Sequence, residues 1–270
     1  MAEYILATKF YNEEEQLPNL IANIANQSLK PTAILFVDDG STDRSSDVAS
    51  KTAKKFGIRY EIVSMPEKQK GNLDTLGRAW TQAQPTFKKL SQNVGYVATS
   101  DVDTIFPPRY FEEMLAFMDA NPRIGVVSGQ ISGAPLRSFP MFTGKVVRSE
   151  VIQAIDKYWD ISIDSFLNVK ALKLGFALKI LDHMLVEAPL SHLRTKKGRF
   201  RAGRLAYYAG ITPTYAILKA LLQRDTGYLR GYWLECFHKK WRCDDPDILD
   251  YYQNEFKRKT LAFVKKALRL

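Results

Sequence analysis

Strand-like and helix-like segments alternate along the first half of this chain, and that alternation constrains the fold more than any other feature. Short strands read at 4–8, 33–37, 59–63, 94–99 and 124–128. They lack regular in–out polarity, so both faces are expected to be buried. Helical periodicity fills the gaps. Leu17, Leu20, Ile21 and Ile24 mark a helix over 14–27, others follow at 44–56 and 73–84, and Pro107-Pro108 opens one reaching Met118. Asp38-Asp39-Gly40 stops the second strand, and Ser41 or Thr42 caps the next helix with Asp43 in its first turn. The pattern predicts an α/β fold, a mostly parallel sheet with helices on both faces. Ligands of such sheets bind beyond the carboxyl ends of the strands. Here those ends carry residues 9–13, Asp38-Asp39 and 101–103.

The second half reads differently. Segments 149–157 and 164–174 are helical in pattern, and 176–181 with 184–187 read as two strands around an Asp182-His183 turn. A basic stretch from Arg194 to Arg204 leads into a helical tail. With no Gly-, Pro- or Ser-rich linker, the expected organisation is an α/β domain over 1–202 and a basic helical region over 203–270. Charge divides the chain in a similar place. Residues 1–189 hold 21 Lys and Arg against 22 Asp and Glu, whereas 190–270 hold 18 against 7, a net of +11. Such a surface attracts phosphate groups of nucleic acids, nucleotides or lipids. The apolar runs are too short for a helical membrane span, which takes about 18–20 residues. No secretory signal is read at the start. Cys236 and Cys243 make no disulfide framework, so a cytoplasmic location is expected.

Chemistry concentrates at Asp101-Val102-Asp103, at the end of the fourth strand. In extended chain, residues i and i+2 point the same way, so both carboxylates can meet one cation. Hard oxygen donors suit Mg2+ or Mn2+, which would in turn hold a substrate diphosphate. Asp38 reads as a turn and sheet-end residue, and Asn12 as a brace for its loop.

Three segments together, Phe10-Tyr11-Asn12-Glu13-Glu14, Val37-Asp38-Asp39-Gly40-Ser41-Thr42-Asp43 and Asp101-Val102-Asp103 with Pro107-Pro108 behind it, resemble the family 2 glycosyltransferases. The resemblance runs over roughly 4–130 and fades in the tail. It implies a GT-A fold and a nucleotide-diphosphate sugar as donor, UDP- or GDP-linked. By the same resemblance Tyr11 packs on the base, and Glu13 and Asp39 accept hydrogen bonds from base or ribose. Asp101 lies near ribose and metal, and Asp103 ligates the metal. Lys9 stands where the family usually has Pro, altering the pocket floor. Lys70-Gly71 resembles a phosphate-side loop, with Thr75 where Asn is usual. Ile163-Asp164-Ser165 matches the family's Glu-Asp pair with Ile in place of Glu, which implies Asp164 as general base for inversion, with Asp160 as the alternative. The apolar neighbour of Asp164 suits a base, because it disfavours the charged carboxylate. His192 falls where similar enzymes place a His near metal or diphosphate.

The expected acceptor is a hydroxyl of a glycan or lipid-linked glycan. Other readings are synthesis of a polyprenyl-phosphate sugar, an inactive nucleotide-binding relative, or a nucleic-acid-binding protein prompted by the basic tail. No nucleic-acid motif accompanies that charge, so no nucleic-acid partner is expected. Over 255–270, Phe256, Thr260, Phe263, Val264 and Ala267 share one helical face opposite Lys259, Lys265, Lys266 and Arg269. That helix either lies on the inner face of the cell membrane or packs on its own domain.

Overall fold

The computed structural model describes residues 3–66, 77–135, 139–157, 163–189, 195–238 and 242–259, the side chains of Ile163 and Asp164 excepted. The chain divides into two compact units, Met1–Leu190 and Ser191–Leu270.

In the first unit seven strands form one sheet in the order β3-β2-β1-β4-β6-β5-β7. They are β1 (Tyr4–Phe10), β2 (Ala33–Asp38), β3 (Tyr60–Ser64), β4 (Tyr96–Ser100), β5 (Ile124–Ile131), β6 (Lys145–Arg148) and β7 (Ala177–Val186). The helices are α1 (Leu17–Ala25), α2 (Ser45–Lys55), α3 (Arg78–Ser91), α4 (Tyr110–Ala120), α5 (Ser149–Gln153) and α6 (Ile163–Lys173). β1 pairs in parallel with both β2 and β4. Period-two geometry sends alternate residues of the buried strands into two cores. Tyr4, Leu6, Ile34, Phe36, Tyr96 and Ala98 join α1, α2 and α4 in one cluster. Ile5, Ala7, Leu35, Val37 and Val97 are equally buried but lie outside that cluster, and α3 packs against β1, β2 and β3.

Three elements differ from the sequence expectation. β6 is an added strand, antiparallel to β4 and β5 and inserted between them. Its four residues are too few to show a pattern, and only long-range pairing makes them a strand. The expected strand pair at 176–187 is instead the single strand β7, parallel to β5, with a register shift opposite Ser128 and Gln130. Asp182 and His183 occupy that irregularity, exposed, rather than a hairpin turn. The third helix runs to Ser91 through Pro85. Pro85 lies on the exposed side, and burial of Trp80, Ala83, Phe87 and Leu90 continues the helix past it.

The second unit contains α7 (Lys196–Tyr208), α8 (Pro213–Gln223), α9 (Thr226–Phe237) and α10 (Pro246–Gln253). Positions 202 and 203, where the sequence suggests a division, lie inside α7. α7 and α9 cross at glycines. A β-carbon on Gly203 would overlap the Tyr228 carbonyl, and one on Gly231 the Phe200 carbonyl. Asp225 caps α9 and pairs with Arg199 at 2.7 Å, and Arg204 pairs with Glu235. Neither cysteine forms a disulfide.

Candidate active site

Strand order decides which loops meet. With β1 between β2 and β4, the segments after all three emerge side by side, and the chain reverses its direction of strand addition between β1 and β4. Such a switch point opens a crevice at the carboxyl ends of the strands. Lys9, Tyr11, Glu13, Asp39, Asp101 and Asp103 come from these three segments.

Hydrogen bonds latch the first two loops together. Asn12 adopts a left-handed conformation, φ 54°, which Asn tolerates better than most residues. Its backbone N–H donates to Ser41 Oγ at 3.0 Å, and its Oδ1 accepts from the Thr42 N–H at 2.8 Å. The Glu13 N–H donates to Ser45 Oγ at 2.7 Å. Glu14 takes the Arg44 backbone N–H and guanidinium. Gly40 supplies the turn with φ 79°. Asp38 is buried and accepts from the Ser41 N–H and the Ser46 hydroxyl, so it holds the turn. Both sequence readings, Asn12 as brace and Asp38 as turn residue, agree with these contacts.

Asp39 is buried immediately after β2. Its Oδ2 receives Lys9 Nζ at 2.7 Å, with the Lys9 side chain 22% exposed and that of Asp39 2% exposed. The Asp39 N–H donates to the Phe10 carbonyl, tying the two strand ends. The residue replacing the family's usual Pro therefore neutralises the carboxylate that the sequence assigns to the nucleotide.

After β4 the chain alternates exposed Asp101, buried Val102, exposed Asp103 and buried Thr104. Both carboxylates accordingly reach solvent while Val102 anchors the segment in the core. The Asp101 N–H donates to Thr143 Oγ1 at 3.1 Å, and Thr143 also bonds Thr104. Thr143 precedes β6, so the unforeseen strand positions the acidic loop. Nothing in the local sequence signals this role.

Electrostatics join the first and third segments. Burial raises the pKa of Glu13 above its ordinary value, and the charges of Asp103 and Asp43 raise it further. For Asp43, burial acts upward, but hydrogen bonds from Ser45 and the Glu14 N–H outweigh it and hold the pKa low. Negative charge from three loops is thus concentrated in one place, an environment a divalent cation would relieve. Among the described residues no three His, Cys, Asp or Glu side chains gather into a cation site. Two exposed carboxylates nevertheless suit Mg2+, which commonly binds one or two carboxylates and completes its shell with water and substrate phosphates.

Of the remaining sequence candidates, Asp164 is the second residue of α6 and its side chain lies outside the described set. Lys70, Gly71, Asp160 and His192 also lie outside the described residues. Lys145, which the sequence reading did not single out, is fully buried on β6 and donates to Asn168 of α6 at 3.0 Å. Asn168 in turn donates to the Pro140 carbonyl. This polar link ties α6, the helix carrying Asp164, to the sheet.

Known proteins share this fold. A mannosyltransferase from Pyrobaculum calidifontis, solved in complex with GDP-Man and Mn2+, superposes with a TM-score of 0.57 at 17% identity, covering 76% of this chain and 62% of that one. TarS from S. aureus in complex with UDP-GlcNAc gives 0.56 at 15% identity, covering 75% and 65%. Among curated sequences, the cholesterol galactosyltransferase of Borreliella burgdorferi is 43% identical over 49 residues, 18% of this chain and 14% of that protein. The chain thus spans less than two thirds of the length of each of these relatives. The family model described as glycosyl transferase family 2 matches residues 6–157, more than half of the chain, and includes all three loops of the crevice. This chain belongs to glycosyl transferase family 2, and its seven-stranded sheet is a GT-A fold.

Proposed function

We propose that this protein is a metal-dependent, inverting glycosyltransferase that moves a hexose from a UDP- or GDP-sugar to a hydroxyl of a glycan or lipid-linked glycan. The observation carrying the reading is the strand order that brings the loop with Tyr11 and Glu13, the turn with Asp39 and the exposed carboxylates of Asp101 and Asp103 out side by side at the ends of β1, β2 and β4. Family membership and the nucleotide sugars bound by the structural relatives support the donor class.

Tyr11 presents an aromatic face for the base. Glu13 and Asp39 are acceptors for N–H or ribose hydroxyl groups. Asp39 meets the donor already paired with Lys9, so the ammonium brings a hydrogen-bond donor to the same edge of the base. Asp101 and Asp103 would hold Mg2+ or Mn2+, which when bound neutralises the diphosphate leaving group. Lys70-Gly71 and His192 complete the donor site in this reading. At the acceptor, Asp164 takes the hydroxyl proton as the oxygen bonds to the anomeric carbon. The bond from that carbon to the diphosphate oxygen breaks on the opposite face, giving inversion.

Thermal unfolding with UDP, GDP, TDP, CDP and their sugars, with and without Mn2+, tests the donor, since a ligand bound only by the folded state stabilises it. Asp103→Ala and chelation should each abolish sugar transfer and donor hydrolysis. Full turnover in excess chelator overturns the metal role, and a donor and manganese found bound away from Asp103 in a crystal overturns the site.

A further inference from the structure

The second unit carries an apolar stripe facing the wrong way for a core. On α8, Ala216 and Ala220 turn inward and join the cluster with Tyr207, Ile211, Tyr228 and Tyr232. Ile217, Leu218, Leu221 and Leu222 turn outward, 37%, 38%, 67% and 77% exposed. Their spacing, i, i+1, i+4 and i+5, puts them in one row along the helix. An amphipathic helix of a water-soluble unit normally presents the reverse arrangement.

Charge identifies the occupant. The unit bearing this stripe, residues 191–270, holds 18 Lys and Arg against 7 Asp and Glu. Arg224 at the end of α8 and Arg230 on α9 are exposed. Aliphatic side chains on a strongly cationic unit match a surface that is apolar inside and anionic at its rim, which is an anionic phospholipid bilayer. Nucleic acid would match the charge but leave the leucines in water. Among the described residues no helix is long and apolar enough to cross a membrane, so the contact is one of lying on the surface.

We propose that α8 docks this protein on anionic membranes, with Ile217, Leu218, Leu221 and Leu222 entering the headgroup–acyl boundary and the unit's cations engaging lipid phosphates. This adds α8 to the membrane contact suggested by sequence for the 255–270 helix, most of which lies outside the described residues. It is independent of the sugar-transfer reading.

The test is flotation of the full chain with phosphatidylcholine vesicles, with and without phosphatidylglycerol, at low and high salt. Wild type should float only with the anionic vesicles, less so at high salt. Leu221→Gln with Leu222→Gln keeps good helix formers and should lower partition on the order of 100-fold, given the two leucines' exposure. A control pair, Leu172→Gln with Leu174→Gln, removes exposed leucines of the first unit and should float like wild type. Circular dichroism checks that both variants stay folded. No flotation, equal flotation with uncharged vesicles, or equal loss in both variants overturns the proposal. So does a wild-type dimer in sedimentation that the α8 variant converts to monomer, since a second copy would then cover the stripe.

Discussion

Replacing Lys9 by Met removes the ammonium near the end of β1 while keeping most of the side chain's apolar length. The pair it breaks is 2.7 Å long and joins a one-fifth exposed ammonium to a carboxylate almost wholly out of water. At that separation the Coulomb attraction is about 6 kcal/mol with an effective dielectric constant near 20, most of it offset by desolvation. What matters in the variant is Asp39 left as a buried charge. Removing one partner of a fully buried pair costs about 3–5 kcal/mol. Water reaches Lys9 from one side, so the lower figure of about 2–3 kcal/mol is expected here. For a domain of this size that corresponds to a melting temperature lower by roughly 5–10 °C. The decisive measurement is a double-mutant cycle in urea with Lys9→Met, Asp39→Asn and their combination. Asp39→Asn should restore about 2 kcal/mol in the Lys9→Met background by removing the buried charge that has lost its ammonium. A Lys9→Met protein within about 0.5 kcal/mol of wild type, or strictly additive variants, would refute an ion pair that supports the crevice.

Glu13 sets a pH dependence. Its raised pKa means the folded state keeps the proton to higher pH than the unfolded chain, so its contribution to stability is full below the unfolded value and is lost as pH rises through the folded one. Urea unfolding across about pH 4 to 7 in the absence of divalent ions should show that decline in wild type and less of it in Glu13→Gln; parallel curves contradict the assignment. Asp103→Asn removes one of the charges acting on Glu13, so the Glu13 carboxyl resonance should titrate at lower pH in the variant by NMR. An unchanged titration would separate the two loops. In the second unit, Gly203→Ala gains about 1 kcal/mol of helix propensity but drives a methyl into the Tyr228 carbonyl, so a net loss of about 1–2 kcal/mol is expected from denaturant unfolding. A stabilised variant would contradict so close a crossing of α7 and α9.

The acidic loops were legible because their signals are local. A carboxylate pair spaced i, i+2 at a strand end needs only two neighbouring residues to show itself, and Gly40 marks its turn by conformational freedom alone. Asn12 and Asp38 announce their bracing roles through side chains that bond nearby backbone. β6 had no such signal. Its Val146 and Val147 pair with residues about 50 positions back on β4 and 20 back on β5, and four residues cannot establish a period. The roles of Thr143, under Asp101, and of Lys145, bonded to Asn168, are equally non-local. β7 misled for the opposite reason, since Asp182-His183 is a strong turn cue that parallel pairing with β5 overrides.

Sequence alone determined that strands and helices alternate, that β1, β2, β4 and β5 are buried on both faces, though not the edge strand β3, which is partly exposed throughout, and that acidic residues end three of them, because hydrophobic period and turn chemistry are properties of short stretches. Tertiary structure decided that β1 lies between β2 and β4, that Lys9 neutralises Asp39, that Asp103 acts on Glu13, and that α8 turns its leucines to solvent. Each of those depends on which distant segments share a surface, and no local run of residues carries that information.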